Sequence, residues 1–283
     1  MSLGGNTADS LTLADGGNML TVSKTETITG GTGNDAITLG AAQTTGIIDL
    51  GAGADSLSLA NGTNKLTVIN TETITGGTGN DTITLGAVQT SGTIDLGGGT
   101  NDKLTLADGT NSLTVSNTET VTGGTGDDAI TVQGDTDTTI DGGAGNDTII
   151  GAGGADTITG DAGADTITGG SGADTFKLAA GDGALTIGGS GTSGTIGGYD
   201  IITDFAPGAT AAGSEILGFS GAVISTALSG TITSSTLQLH TNAVVSSASI
   251  SNGIVTFNGG TSLTSLSDVA AAIEFLQAND IGN

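Results

Sequence analysis

The segment from Gly142 to Lys177 reads GGAGNDTII, GAGGADTIT, GDAGADTIT and GGSGADTFK. Each of these nine-residue units has a glycine-rich turn, an aspartate and a short strand in which polar and apolar residues alternate. The alternation places one apolar side chain of each strand inside and the flanking threonines outside. The inward residues are Ile149, Ile158, Ile167 and Phe176. A strict period of nine residues predicts a stack of equal structural units.

Three longer repeats precede this segment and contain the same turn. They begin at Ala8, Ala54 and Asn101, which places them 46 and 47 residues apart. Read as six positions that end in aspartate, the turns end at Asp9, Asp35, Asp55, Asp81, Asp102, Asp128, Asp147, Asp156, Asp165 and Asp174. An apolar residue follows two positions after each aspartate. We therefore expect every turn to lead into a short strand.

The composition excludes several classes of function. The chain has 283 residues, of which 29 are acidic and 4 basic, and its formal net charge is -25. Such a charge repels nucleic acid and anionic lipid, and a compact fold requires a cation to offset it. Aromatic residues make up only 2% of the chain, which argues against an ordinary globular core. The absence of cysteine excludes disulfides and most zinc sites, and no apolar run approaches the roughly 20 residues of a membrane span.

The turns contain the oxygen donors that Ca²⁺ requires. Ca²⁺ takes about six to eight oxygen ligands, which include carboxylates and backbone carbonyls, and glycine lets a turn direct its carbonyls inward. One turn supplies only half of such a shell, so the other half must come from the next turn on the same side of a coil. If two nine-residue units form one coil, partner aspartates lie about 18 residues apart.

The spacings assign the partners. They pair Asp35 with Asp55, Asp81 with Asp102, Asp128 with Asp147, Asp147 with Asp165, and Asp156 with Asp174, at separations of 18 to 21 residues. About five calcium sites are therefore predicted. The gaps of 26 residues fit three half-coils, so each long repeat should contain five half-coils and its turns should change edge. Asp147 and Asp156 should lie on opposite edges.

The predicted ligands are carboxylates from nine aspartates and carbonyls from the glycines of their turns. The aspartates are Asp35, Asp55, Asp81, Asp102, Asp128, Asp147, Asp156, Asp165 and Asp174. The glycines are Gly31, Gly33, Gly51, Gly53, Gly77, Gly79, Gly124, Gly126, Gly143, Gly145, Gly151, Gly153, Gly154, Gly160, Gly163, Gly170 and Gly172. Departures from the motif make some half-sites weaker, at Leu50, Thr100, Ala152 and Asp161. A second interpretation is that each turn is merely tight and its aspartate solvated, but the repetition in register favours calcium.

The tight units resemble a known family. GGAGNDTII and its neighbours resemble the GGxGxDxUx nonapeptide of RTX (repeats-in-toxin) proteins, and GADTFKL followed by YDIITDF resembles the usual exit from an RTX roll. The resemblance implies a parallel β-roll with Ca²⁺ between stacked turns, and export from Gram-negative bacteria by the type I secretion machinery. Abundant Thr, Ala and Gly, scarce Lys and the long repeats are more similar to RTX-type surface-layer proteins than to the toxins or proteases.

We predict an all-β fold in two parts. Residues 1–205 form the RTX-like parallel β-roll, or β-solenoid, with the long repeats at 8–141 and the tight nonapeptides at 142–177. Residues 206–283 form a small β-rich cap with one helix at 265–279, in which apolar residues recur on one face.

Several acidic residues outside the main turns have more than one interpretation. Asp200 and Asp204 either close the last calcium turn or cap the roll. The glutamates of the TET units are expected to form a solvated ladder on a sheet face, with a lattice contact or a peripheral ion site as the alternative; they are Glu26, Glu72 and Glu119. Because Asp9 has no earlier partner, we also expect the chain to be a fragment of a longer protein.

No residue pattern favours an enzyme. His240 is the only histidine and is expected at the surface. No serine stands in a GxSxG elbow, and the glycine-rich strings lack the lysine of a phosphate loop. No catalytic residue is therefore predicted.

Two functions follow from these observations. The first is a calcium-dependent structural protein, the C-terminal part of a secreted bacterial surface-layer subunit that folds and self-associates into a lattice when Ca²⁺ binds outside the cell. The alternative is an RTX export and folding module of a larger type I-secreted enzyme or adhesin. Neither function involves nucleic acid or direct membrane insertion.

Overall fold

The structure is a computed structural model that describes residues 9–179, 186–188, 195–197, 200–204, 216–220, 247–251 and 254–258. These ranges contain strands and turns but no helix. The strands are β1 (Ser10–Thr12), β2 (Met19–Val22), β3 (Thr27–Thr32), β4 (Ala36–Leu39), β5 (Ile47–Ala52), β6 (Ser56–Ser58), β7 (Lys65–Ile69), β8 (Thr73–Thr75), β9 (Thr82–Leu85), β10 (Thr93–Asp95), β11 (Lys103–Thr105), β12 (Ser112–Ser116), β13 (Thr120–Thr125), β14 (Ala129–Gln133), β15 (Thr139–Ala144), β16 (Thr148–Ile150), β17 (Thr157–Ala162), β18 (Thr166–Thr168), β19 (Thr175–Ala179), β20 (Thr186–Gly188), β21 (Thr195–Gly197), β22 (Ile201–Ile202), β23 (Ile216–Ser220), β24 (Ser247–Ser251) and β25 (Ile254–Asn258).

Successive strands from β1 to β19 alternate between two sheets. One sheet has the order β1-β3-β5-β7-β9-β11-β13-β15-β17-β19-β23, and the other has β2-β4-β6-β8-β10-β12-β14-β16-β18-β22. Each strand pairs in parallel with the strands one coil before and one coil after it, as β17 does with β15 and β19. The chain therefore winds as a parallel β-solenoid with two strands per coil, which confirms the predicted roll.

Each long repeat contains five half-coils. Ile37 lies in β4 of the even-numbered sheet, whereas Ile83, 46 residues later, lies in β9 of the odd-numbered sheet. An odd number of half-coils moves equivalent turns to the opposite edge in the next repeat. The tight nonapeptides advance by one half-coil every nine residues, so turns 18 residues apart are stacked.

Rows of aliphatic side chains fill the space between the two sheets. Ile140 is in register with Ile158, and Ile158 with Phe176, and all three are fully buried. The other sheet aligns Ile149 with Ile167 in the same way. Each buried side chain of this size contributes about 1.5–3 kcal/mol relative to an exposed one. A narrow core of repeated aliphatic residues explains how the chain folds with so few aromatics.

Two antiparallel strand pairs form separate two-stranded sheets, β20 with β21 and β24 with β25. The chain divides into two compact units, Met1–Gly218 and Phe219–Asn283. The predicted helix at 265–279 and His240 lie outside the described residues, and the predicted boundary near residue 205 stays a prediction. Within the described ranges, no helix has the length and apolar character needed to cross a bilayer.

Candidate calcium-binding turns

Every predicted aspartate ligand lies at the same place in the fold, directly before a strand. Asp35 precedes β4, Asp81 precedes β9 and Asp156 precedes β17. All nine of these residues are buried, with at most 2% of their surface exposed. The alternative interpretation, in which solvated aspartates stand in simple tight turns, is therefore wrong.

A ladder of hydrogen bonds joins the aspartates of successive coils. The backbone N–H of Asp35 donates to Oδ1 of Asp55 over 2.7 Å. The N–H of Asp128 donates to Oδ1 of Asp147 over 2.7 Å, and the N–H of Asp147 to Oδ1 of Asp165 over 2.8 Å. The same bond joins Asp81 to Asp102 and Asp156 to Asp174. These are the five pairs that the sequence spacing predicts.

The pairs also lie at the predicted edges. Asp35 and its partner precede strands of the even-numbered sheet, whereas Asp81 and its partner precede strands of the odd-numbered sheet. Asp147 precedes β16 and Asp156 precedes β17, so these neighbours lie at opposite edges. The structure thus brings together the aspartates that are predicted to share an ion and separates those that are not.

The second carboxylate oxygen of most of these aspartates is buried and unpaired. Oδ1 accepts the ladder bond, but Oδ2 exposes less than 1 Å² and accepts no hydrogen bond from the described part of the chain. The residues concerned are Asp35, Asp55, Asp81, Asp102, Asp147, Asp156, Asp165 and Asp174. A buried carboxylate that lacks a donor or a counter-ion is strongly disfavoured. These oxygens therefore require either a cation or a proton.

Carbonyl oxygens from the next coil converge on the same space. A Cβ atom built on Gly142 would lie 2.6 Å from Oδ2 of Asp147 and 2.9 Å from the carbonyl oxygen of Gly160. A Cβ on Gly151 would likewise lie 2.6 Å from Oδ2 of its turn's aspartate and 2.5 Å from a carbonyl oxygen one coil further on. Only glycine leaves this space open. A carboxylate oxygen of one coil and a carbonyl oxygen of the next belong to the donor set that Ca²⁺ prefers.

The predicted glycines shape the turns. Gly33, Gly79 and Gly126 have φ of 109°, 113° and 109°, in the left-handed region that glycine adopts without strain. Where the motif departs from glycine, Ala152 and Asp161 keep positive φ values of 81° and 66°, so the turn retains its shape. The sequence prediction overlooked the first glycine of five turns, although the pattern GGxGxD contains it; these are Gly30, Gly76, Gly123, Gly142 and Gly169.

Burial also perturbs the titration of these carboxyls. Desolvation by burial, together with the carboxylates one coil away, raises the pKa of Asp147 to about 6. Burial likewise raises the pKa of Asp156 and of Asp165 to about 7. Without a cation, these groups would therefore carry their charge at neutral pH at the expense of folding.

Among the described residues, no three His, Cys, Asp or Glu side chains cluster as a metal site. The buried oxygens come instead as one carboxylate per turn with backbone carbonyls beside it. Zinc sites rely on nitrogen and sulfur ligands, whereas Ca²⁺ is bound through oxygens from several backbone segments. The arrangement fits Ca²⁺ and does not fit a zinc centre.

Comparison with protein families agrees with this geometry. The family of the RTX calcium-binding nonapeptide repeat matches residues 23–42, 69–87, 114–149, 141–176 and 150–184. The chain contains RTX calcium-binding nonapeptide repeats. RTX repeats bind Ca²⁺, RTX proteins are in general secreted, and the RTX β-roll is a structural calcium-binding fold that is not typically catalytic. Comparisons with curated proteins and with solved structures find no match.

The glutamates of the RTX long repeats lie elsewhere than predicted. Oε2 of Glu72 accepts the backbone N–H of Asp55 over 2.7 Å, and Oε2 of Glu119 accepts that of Asp102 over 2.6 Å. Glu26 makes the equivalent bond over 3.0 Å. The predicted solvated ladder on a sheet face is therefore wrong. Each glutamate instead extends, by one coil, the column of stacked turn residues that the N–H to carboxylate bonds join along one edge of the roll. Their separation of 17 residues from the preceding aspartate is the sequence signal that was missed.

Asp200 and Asp204 both contact the last RTX turns. The N–H of Asp165 donates to Oδ1 of Asp200 over 3.0 Å, which continues the ladder of that edge. The carboxylate of Asp204 accepts the N–H groups of Gly169 and Gly170 over 3.0 and 2.7 Å. These bonds favour the interpretation in which the two residues close the last turns of the array.

Proposed function

We propose that this chain is a calcium-dependent structural protein, part of a secreted bacterial surface-layer subunit that becomes ordered and self-associates when Ca²⁺ binds outside the cell. The observation that supports it best is the column of buried, unpaired Oδ2 atoms at each edge of the roll. Export by the type I secretion machinery is part of the same proposal, because RTX proteins are in general secreted.

About five sites are proposed, each between two stacked turns. Each aspartate pair supplies the carboxylates, and the glycines of both turns supply carbonyl oxygens. Bound Ca²⁺ would supply the positive charge that these oxygens lack. The chain's own residues do the remaining work: the ladder of N–H to Oδ1 bonds fixes each carboxylate, and the aliphatic rows hold the coils in register.

The charge of the chain explains why folding should depend on calcium. With a net charge of -25, the acidic turns repel one another when no cation lies between them. Extracellular calcium modules bind with dissociation constants of about 10⁻⁴ to 10⁻³ M. A ligand that binds only the folded state stabilises that state, so millimolar calcium outside the cell should order a chain that stays loose in the cytosol.

Circular dichroism of the full chain tests the calcium dependence. At neutral pH we expect EDTA to abolish most of the β signal and excess Ca²⁺ to restore it, because the ionised Oδ2 atoms cannot be buried without a cation. A strong β spectrum that does not change between EDTA and millimolar Ca²⁺ would contradict the proposal.

Electron microscopy tests the surface-layer part. Two-dimensional sheets that form on calcium addition support a lattice subunit. Monomers that fold on calcium addition and stay monomeric would instead support the alternative, an export and folding module of a larger secreted enzyme or adhesin.

A further inference from the structure

Three turns of the long repeats end in asparagine where the other turns end in aspartate. Asn18, Asn64 and Asn111 lie directly before β2, β7 and β12. Each stands 17 residues before the aspartate of the next coil and donates its backbone N–H to Oδ1 of that aspartate over 2.7–2.8 Å. These asparagines therefore occupy the ladder position of an RTX aspartate.

The turn that ends at Asn64 has the same shape as the RTX turn stacked on it. Gly62 and Gly79 each stand two residues before the last turn position, and their φ values are 102° and 113°. The N–H of Thr78 donates to Oδ1 of Asn61 over 3.1 Å, which aligns the two turns. The two turns thus share their backbone shape at this position, although Leu59 and Ala60 stand where the stacked turn has Gly76 and Gly77.

Oxygen atoms surround the side-chain amide of Asn64. Its Nδ2 donates to the carbonyl oxygens of Ala60 and Gly62, over 2.9 Å each. It also donates to Oδ1 of Asp81 in the next coil over 2.9 Å. Asn111 makes the same three bonds over 2.7–2.9 Å. Both asparagines are fully buried, so water cannot replace these bonds.

The oxygens around this amide are of the kinds that a calcium half-site offers. Two are carbonyls of the turn itself and one belongs to a carboxylate of the next coil, as Ca²⁺ would require. Aspartate has an oxygen where asparagine has its NH₂ group, so it cannot donate to those carbonyls. This difference accounts for the unpaired Oδ2 of Asp81.

We propose that the side-chain amides of Asn18, Asn64 and Asn111 take the place of Ca²⁺ in their turns. These turns then close without an ion, and the asparagines determine which coils of the roll depend on calcium. The inference rests on the proposed calcium-dependent function and specifies where calcium acts.

The side-chain amides of two glutamines support the same proposal. Nε2 of Gln43 donates to the carbonyl oxygen of Thr25 in the preceding coil, and Nε2 of Gln89 donates to that of Thr71 over 2.7 Å. Amide groups thus join coils throughout the long repeats. The tight array at 142–177 has no asparagine or glutamine at the last position of any turn. Calcium dependence should therefore be strongest in the array.

The substitution Asn64→Asp tests the proposal against a matched control, Asn61→Asp. Both add one negative charge to the same turn, but Asn61 is absent from the amide contacts, and aspartate occurs naturally at its position in the other repeats, as Asp15 and Asp108. For Asn64→Asp in the full chain, we expect bound calcium at saturation to rise by about one ion. The calcium concentration at the folding midpoint should rise severalfold, because the turn now needs an ion to close.

Equilibrium dialysis with metal analysis measures the bound calcium, and circular dichroism measures the midpoint. If Asn64→Asp behaves as Asn61→Asp in both, the role of the amide is refuted. A wild-type chain that does not respond to calcium would refute the proposed function itself, so the two failures are distinguishable.

Hydrogen exchange on the wild-type chain provides a test that needs no variant. In EDTA, the backbone amides of the turns at Asn64 and Asn111 should exchange at least tenfold more slowly than those of residues 142–177, since only the former turns are closed without an ion. Equal exchange rates in the two regions would overturn the inference.

Discussion

Replacing Asp147 with alanine should remove two calcium sites at once. Its Oδ1 accepts the N–H of Asp128, and its own N–H donates to Asp165, so it lies between two partner turns. Asp128 is the matched control in the same column. The turn stacked on its other side ends at Asn111, whose side-chain amide takes the place of an ion, so Asp128 belongs to one calcium site only. Asp128→Ala should therefore remove one site, whereas Asp147→Ala removes two.

The expected magnitude follows from linkage. At 10 mM calcium and a dissociation constant of about 1 mM, each site adds about 1.4 kcal/mol to the free energy of unfolding. Asp147→Ala should lose about 3 kcal/mol through calcium and Asp128→Ala about half of that. Each substitution also leaves a buried N–H without its acceptor, which costs about 1–3 kcal/mol. Asp128→Ala also removes the acceptor of the Asn111 side-chain amide, so the calcium dependence of the unfolding free energy, and not its value at one calcium concentration, reports the calcium sites.

Urea unfolding followed by circular dichroism at several calcium concentrations measures both quantities. The slope of the unfolding free energy against the logarithm of the calcium concentration gives the number of ions released on unfolding. It should fall by about two for Asp147→Ala and by about one for Asp128→Ala. Equal slopes for the two variants would refute the sharing of Asp147 between two sites.

Three further predictions follow from the same geometry. Burial raises the folded-state pKa of Asp147 to about 6 and of Asp156 and Asp165 to about 7. The folded roll therefore holds protons that the unfolded chain releases, so in EDTA it should be most ordered near pH 4 and lose β signal in circular dichroism as the pH rises through 6 to 7. A β signal that stays constant over this pH range would contradict the prediction. A Cβ on Gly160 would overlap Oδ2 of Asp165, whereas a Cβ on Gly98 would come no closer than 3.9 Å to its neighbours. Gly160→Ala should therefore lower the amount of bound calcium in equilibrium dialysis, and Gly98→Ala should leave it unchanged. Mg²⁺ at the same concentration should restore little β signal, because it requires small octahedral shells and retains its waters; full recovery with Mg²⁺ would contradict the assignment to calcium.

The sequence predicts the roll and its aspartate pairs because both depend on spacing alone. Once two strands form one coil, a separation of 18 to 21 residues places two aspartates in neighbouring coils on one edge, and the hydrogen bonds between Asp35 and Asp55 and between Asp147 and Asp165 confirm this. The gaps of 26 residues specify the change of edge in the same way. No knowledge of side-chain conformation is needed for these conclusions.

The remaining members of the columns could not be found by searching for the GxGxD pattern. Glu72 and Asn64 lack the full pattern, yet each stands 17 residues from an aspartate and shares a ladder bond with it. The sequence does suggest this spacing, but only the structure shows that the amide of Asn64 contacts its own turn's carbonyls. Likewise, only the structure shows that Oε2 of Glu72 accepts the N–H of Asp55.

The distribution of neutral and charged residues along each column has a physical consequence for folding. In the array, Asp147 and Asp165 lie in one unbroken run of carboxylates, and the pKa values raised to about 6 and 7 belong to such residues. In the long repeats, Asn64 and Asn111 interrupt the run with groups that carry no charge. A solenoid is stabilised by contacts between neighbouring units, so order in one region can propagate into the next. We therefore expect the amide-closed coils to form first, and the array at 142–177 to add to them when calcium offsets its charge.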